Sequence, residues 1–143
     1  MKSAYANPVA TLLSAILIWG ATSLPVRAAE SSAAQVVIDS QITAFRNGDH
    51  AQAFSYAAPG LQRMMRSQDN FIAMVKQGYG AIYGARNWSF GRSRSDGGTL
   101  YQEVLLTGPD GNGWTALYTL RQEPDGSWRI HGVQMQRTAA QTT

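Results

Sequence analysis

"TLYQEVLLTGPDGNGWTALYTLRQEPDGSWRIHGVQMQ", residues 99 to 136, decides the fold of this chain. Three alternating segments are separated by Pro109-Asp110-Gly111 and Pro124-Asp125-Gly126. Proline presets the first central dihedral of a turn and glycine accepts a positive one, so both tripeptides read as tight reversals. Segments joined this closely run antiparallel. Upstream, "NWSFGRSR" alternates large and small residues and reaches Thr99 through the turn "SDGG". The pattern predicts four antiparallel strands in sequence order.

Alternation also assigns faces. Trp114, Ala116, Tyr118 and Leu120 form an apolar face on the third strand, and Trp128 with Ile130 form one on the fourth. The opposite side of the fourth strand then carries Arg129, His131, Val133 and Met135. On the first strand Trp88, Phe90, Arg92 and Arg94 share a side. Arginines beside aromatics suit an anion- or partner-binding stripe, and they equally protect an edge strand from unwanted pairing.

Working back from the sheet, the period becomes helical. Ala34, Ile38, Gln41, Ile42 and Phe45 make one stripe, with Ser31 or Ser32 as its cap. Asn47 and Gly48 close that helix, and Asp49 caps a second one through its side-chain oxygen. The second helix buries Ala53, Phe54, Ala57 and Ala58 and stops at Pro59-Gly60. The sequence Asp49-His50 is therefore a bend rather than a catalytic pair, because adjacent helical residues do not face one another. "LQRMMR" reads as an irregular link to a third helix from Ser67, whose stripe is Phe71, Val75, Tyr79 and Ile82 or Tyr83. Gly78 and Gly80 weaken this helix by about 1 kcal/mol each relative to alanine. Three helices followed by a four-strand meander is an α+β domain with helices on one sheet face.

The first 28 residues read differently. Lys2, the apolar run "VATLLSAILIWGA" and the small-residue pair Val26 and Ala28 predict a signal peptide cut after Ala28. The apolar run is shorter than the roughly 20 residues of a spanning helix, so the expectation is a periplasmic or secreted chain with no membrane contact after cleavage, and the alternative is an uncleaved leader that tethers the domain to a membrane. Residues 29–137 form the domain, and 138–143 form a disordered tail. The whole chain has formal charge +3. Lys2 and Arg27 leave with the leader, so a nearly neutral chain remains, which excludes a large phosphate footprint and nucleic acid as a partner. There is no cysteine and there are two histidines. Disulfides, thiolate metal sites and cysteine nucleophiles are excluded, and no metal or other cofactor is expected. A serine-hydrolase elbow, a phosphate loop and a dinucleotide fingerprint are also missing from the sequence.

"VVIDSQITAFRNGDHAQAFSYAAP", "FIAMVKQGYGAIY" and "EPDGSWRIHGV" together resemble the nuclear transport factor 2-like superfamily. More narrowly, "AFRNGD", "FIAMVKQGY", "LTGPDG" and "PDGSWRI" resemble the bacterial exported family labelled domain of unknown function 4864, over roughly residues 34–137. The resemblance implies three helices closing over a curved four-stranded sheet as a cone with a cavity. It implies a homodimer pairing through the sheet, and it is nearly silent about activity. Where some relatives carry Pro-Pro after the tyrosine of the third helix, this chain has Gly80-Ala81.

Within such a cone Tyr79, Tyr83 and Arg86 fall at i, i+4 and i+7, one face for as long as the helix persists. With His131 they are the candidate ligand-binding residues, suited to a small apolar or weakly anionic molecule. The same tyrosines also suit plain packing with their hydroxyls reaching water. The expected function is a non-catalytic ligand-binding or protein-interaction module. The alternative is a cofactor-free lyase or isomerase in which His131 works with Asp39 or Glu103.

Overall fold

The computed structural model describes residues 23–138. The expected signal-peptide segment up to residue 22 and the tail from residue 139 lie outside the described residues. Five helices precede four strands: α1 (Ser23–Arg46), α2 (His50–Ser55), α3 (Pro59–Met65), α4 (Gln68–Gly78), α5 (Gly80–Tyr83), β1 (Asn87–Asp96), β2 (Thr99–Thr107), β3 (Gly113–Gln122) and β4 (Trp128–Arg137). The strands form one antiparallel sheet in the order β1-β2-β3-β4.

The turns close as their composition dictates. Gly111 and Gly126 take φ of 82° and 86°, and each preceding aspartate accepts a backbone hydrogen bond, Asp110 from Asn112 and Asp125 from Ser127. α1 presents Ala34, Ile38, Gln41, Ile42 and Phe45 to the core and packs across β2 and β4. Ile38 and Ile42 are completely buried, each contributing about 2 kcal/mol of transfer free energy. Gly48, at φ 69°, ends this helix, and Asp49 caps α2 by accepting from the Gln52 amide at 3.2 Å.

Three helical boundaries differ from expectation. α1 is already helical at Ser23, ahead of Ser31 and Ser32. Pro59 does not stop a helix but begins α3, since a proline at the first helical position gives up an amide that has no intrahelical partner anyway. The residues read as an irregular link are therefore mostly helical. The third expected helix is two, α4 and α5, broken at Tyr79 (φ −134°, ψ 36°) between its flanking glycines. Ser67 caps α4 as expected, accepting from the Asn70 amide at 3.1 Å.

Two β-bulges correct the face assignments. The β1–β2 register shifts between Phe90 and Ser93. Trp88 and Phe90 pack against the core, whereas Arg94 stands opposite Tyr101 on the outer face, its guanidinium 5.0 Å from that ring. The β3–β4 register shifts between Thr119 and Leu120, which pair with Gly132 and Ile130 and leave His131 as the extra residue. Val133 and Met135 thereby join Ile130 on the core side instead of facing away from it. One inserted residue moves every later side chain to the other face, and each bulge bends the strand that carries it.

β4 would be an open edge, but the α2–α3 link covers part of it. Ala57 bridges to Ile130 in parallel fashion. The Ala58 amide donates to Ile130 O at 2.8 Å, and the Ile130 amide donates to Tyr56 O at 2.9 Å. Arg129 reinforces the seam by donating to Ser55 O. At the far end Thr138 is tied to the sheet through its amide, which donates to Gly113 O at 3.0 Å.

Candidate functional site

Between the helices and the concave face of the bent sheet lies a cavity of about 100 Å³, partly open to solvent. α1 contributes Gln41 and Phe45, α3 Leu61, α4 Phe71, Met74 and Val75, α5 Ile82, and the sheet Tyr118, Ile130 and Val133. Tyr79, at the α4–α5 break, completes the wall. The volume corresponds to roughly three waters or one compact organic group. The lining is mostly hydrocarbon and aromatic. Gln41 directs its side-chain amide to Ala53 O at 3.1 Å, and Tyr79 donates to Val133 O at 3.3 Å.

Tyr118 is the exception. It is completely buried, and its hydroxyl has no hydrogen-bond partner among the described residues. Burial pushes this phenol above its ordinary value, so it stays a neutral donor even where a free phenol would ionise. An unpartnered buried hydroxyl costs about 1–3 kcal/mol. Alternation had placed Tyr118 on the apolar face as core. The available signal was the residue type itself, because a tyrosine inside a packed face still needs a partner for its hydroxyl.

The sequence candidates are not gathered in one place. Tyr79 and His131 both border the cavity. Tyr83 lies instead at the α2–α5 junction, where His50 Nε2 is 2.9 Å from its hydroxyl and Lys76 is 5.1 Å from its ring centroid. Arg86 is exposed and donates to Pro109 O. The helix break at Tyr79 is what separates the three, since their common face required an unbroken helix. His131 Nε2 is 3.0 Å from Glu123 Oε1 across the β3–β4 turn. Asp39 accepts from Trp88 Nε1 at 3.0 Å, and Glu103 pairs with Arg92 at 3.5 Å. His131 thus takes a carboxylate partner other than the two expected ones.

Outside Tyr79 a surface groove of about 340 Å³ runs along the α4–α5 break, bordered by Gly78, Gly80, Pro109, Asp110, Trp114 and Met135. Tyr79 borders this groove as well as the cavity. Arg137 stands 5.5 Å from the Trp114 ring centroid and 4.0 Å from Asp110. The Asp110 carboxyl is held below its ordinary range, first by the Asn112 backbone amide and then by the Asn112 side chain.

A mixed helical and antiparallel architecture of this kind, hollow between its layers, defines a nuclear transport factor 2-like fold, and a solved structure agrees. The crystal structure of an NTF-2-like protein of unknown function from Silicibacter pomeroyi DSS-3 is similar with a TM-score of 0.56 and 18% identity, covering 78% of this chain and 98% of that one. Residues 27–143 match the family described as "Domain of unknown function (DUF4864)", and the chain belongs to that family. No curated protein matches it.

Proposed function

We propose that the protein is a non-catalytic binding module whose cavity takes a small, mainly apolar molecule bearing one hydrogen-bond acceptor. The observation that carries this reading is the unpartnered hydroxyl of Tyr118, a residue that lines a mostly apolar hollow. A water at that position would meet few further polar partners, whereas a carbonyl on a compact hydrocarbon body satisfies the phenol and displaces apolar hydration together. The hydroxyl is sealed by its neighbours. A bound molecule reaches it when a lining side chain turns aside, and the flexible Met74 suits that role. Native mass spectrometry of protein purified from its own host tests the proposal. A retained small molecule that is lost in Tyr118→Phe supports it, and a ligand-free chain that takes up no cyclic ketone in solution contradicts it.

We also place the working protein outside the cytoplasm, cut after Ala28, as the leader pattern implies. N-terminal sequencing of the exported product checks this; a product still starting at Met1 contradicts it. Self-association is assigned to the outer face of the sheet, where Leu105 and Leu117 remain 41% and 38% exposed. Sedimentation of the wild type and Leu117→Lys reports it. A dimer dissociated by the lysine supports the assignment, and a monomer at all concentrations removes it.

A further inference from the structure

Tyr79 belongs to two voids at once. The residue lines the inner cavity and also borders the surface groove. A single hydrogen bond to Val133 O, long at 3.3 Å, fastens its hydroxyl. On either side stand Gly78 and Gly80, and neither is required by the static geometry. A Cβ built on either glycine meets nothing within 4 Å, and neither takes a positive φ. Alanine would fit both positions and would stabilise the fold by about 0.4–1 kcal/mol each, through the freedom it removes from the unfolded chain. The property that glycine keeps and alanine removes is backbone freedom around Tyr79.

We infer that Tyr79 is a hinged gate between the inner cavity and the outer groove, and that the complete site is one elongated channel admitting a linear amphiphile. The inference rests on the binding reading above and extends it from a compact group to a chain. With Tyr79 swung aside the two voids join, reaching the size range of ordinary ligand sites. The end of the aliphatic chain lies in the cavity among Phe45, Phe71 and Val75, and the rest passes through the space that the Tyr79 side chain vacates. The polar head remains in the groove beside Trp114 and Asp110. Gate opening breaks the Tyr79–Val133 hydrogen bond and rotates the backbone at the two glycines, while the α4 cap at Ser67 and the buried face of α4 stay in place.

The test is an NMR titration of the full chain with octanol, followed by exchange measurements on three proteins: the wild type, Gly78→Ala/Gly80→Ala and Tyr79→Phe. The gate predicts octanol-induced shifts at the Val75 amide and the Trp114 indole together. It predicts that the double alanine variant slows association and dissociation about tenfold, equivalent to about 1.4 kcal/mol on the opening barrier, with little change in affinity. Tyr79→Phe, lacking the latch, exchanges faster than the wild type. The double variant also melts higher than the wild type, which separates a stiffened hinge from a damaged fold. Octanol bound in the cavity with identical exchange rates in all three proteins overturns the gate and leaves the binding reading intact. Shifts confined to the groove residues overturn it too. If neither octanol nor a compact cyclic ketone perturbs the cavity amides, both the gate and the binding reading fail.

Discussion

Tyr118 keeps its proton when folded because burial opposes the charged form. Above the ordinary value of 10.0 the unfolded chain releases that proton while the folded chain holds it, so stability falls as pH rises. Tyr118→Phe removes this contribution. Urea denaturation at about pH 8 and about pH 11 should show a smaller alkaline loss for the variant than for the wild type. At neutral pH the variant should be at least as stable, because it also removes an unsatisfied hydroxyl worth about 1 kcal/mol. A variant clearly less stable at neutral pH would mean that the hydroxyl has a partner in solution. Arg66 offers a second test at this scale. It closes α3 with φ 68° and ψ −35°, a conformation that disfavours any side chain beyond glycine. Arg66→Gly should gain about 1 kcal/mol in chemical denaturation, and a loss of that size would contradict the strain.

The elements divide into those that local chemistry announces and those it does not. Both Pro-Asp-Gly reversals, the Asp49 and Ser67 caps and the α1 stripe were legible, since each rests on residues within one turn of one another. The bulges were not. Around Gly91-Arg92 and His131 the sequence alternates without interruption, and only pairing with the neighbouring strand shows that one residue has been skipped. That slip placed Val133, Met135 and Arg94 on the wrong faces. It also decided which side chains border the cavity, so the site was less legible than the fold. The helix break at Tyr79 had a visible cause in its two glycines, yet its consequence, the scattering of Tyr79, Tyr83 and Arg86, needed the packing of α5. The reversals supply a pH test. Asp110 lies below its ordinary value of 3.8, held first by the Asn112 backbone amide and then by its side chain. Asp125 lies below 3.8 through the Ser127 hydroxyl and then its backbone amide. Depressed carboxyls stabilise above their unfolded values, and that contribution disappears as pH falls through the folded ones. Asp110→Asn/Asp125→Asn should therefore flatten the acid side of a melting-temperature profile below about pH 4. Parallel profiles would show that the turns hold no such linkage.

Across the whole molecule, stability depends on one long helix and four short ones closing over one bent sheet without disulfide support. The polar clasp near the first bulge contributes to that closure: buried Gln102 donates to Gly91 O at 3.2 Å and accepts from Gln35 at 3.1 Å and Ser31 at 3.3 Å, joining α1 to β1 and β2. α1 is helical through the expected cut after Ala28, yet among its residues of described burial the first fully buried side chain is Ala34. A chain starting at Ala29 keeps Ser31, Gln35 and the whole buried stripe, so it should melt within a few degrees of the full chain. A large drop would place residues before 29 among the determinants of the fold.

The central claim is that the hollow between helices and sheet receives a small apolar molecule with one acceptor directed at Tyr118. An amide-resolved NMR titration with cyclopentanone measures this most directly. The account predicts saturable shifts centred on Val75, Ile82 and Ile130 in the wild type, with affinity about tenfold weaker in Tyr118→Phe, the equivalent of one neutral hydrogen bond. Unchanged spectra at saturating ketone, or shifts confined to the outer face around Leu105 and Leu117, would contradict it.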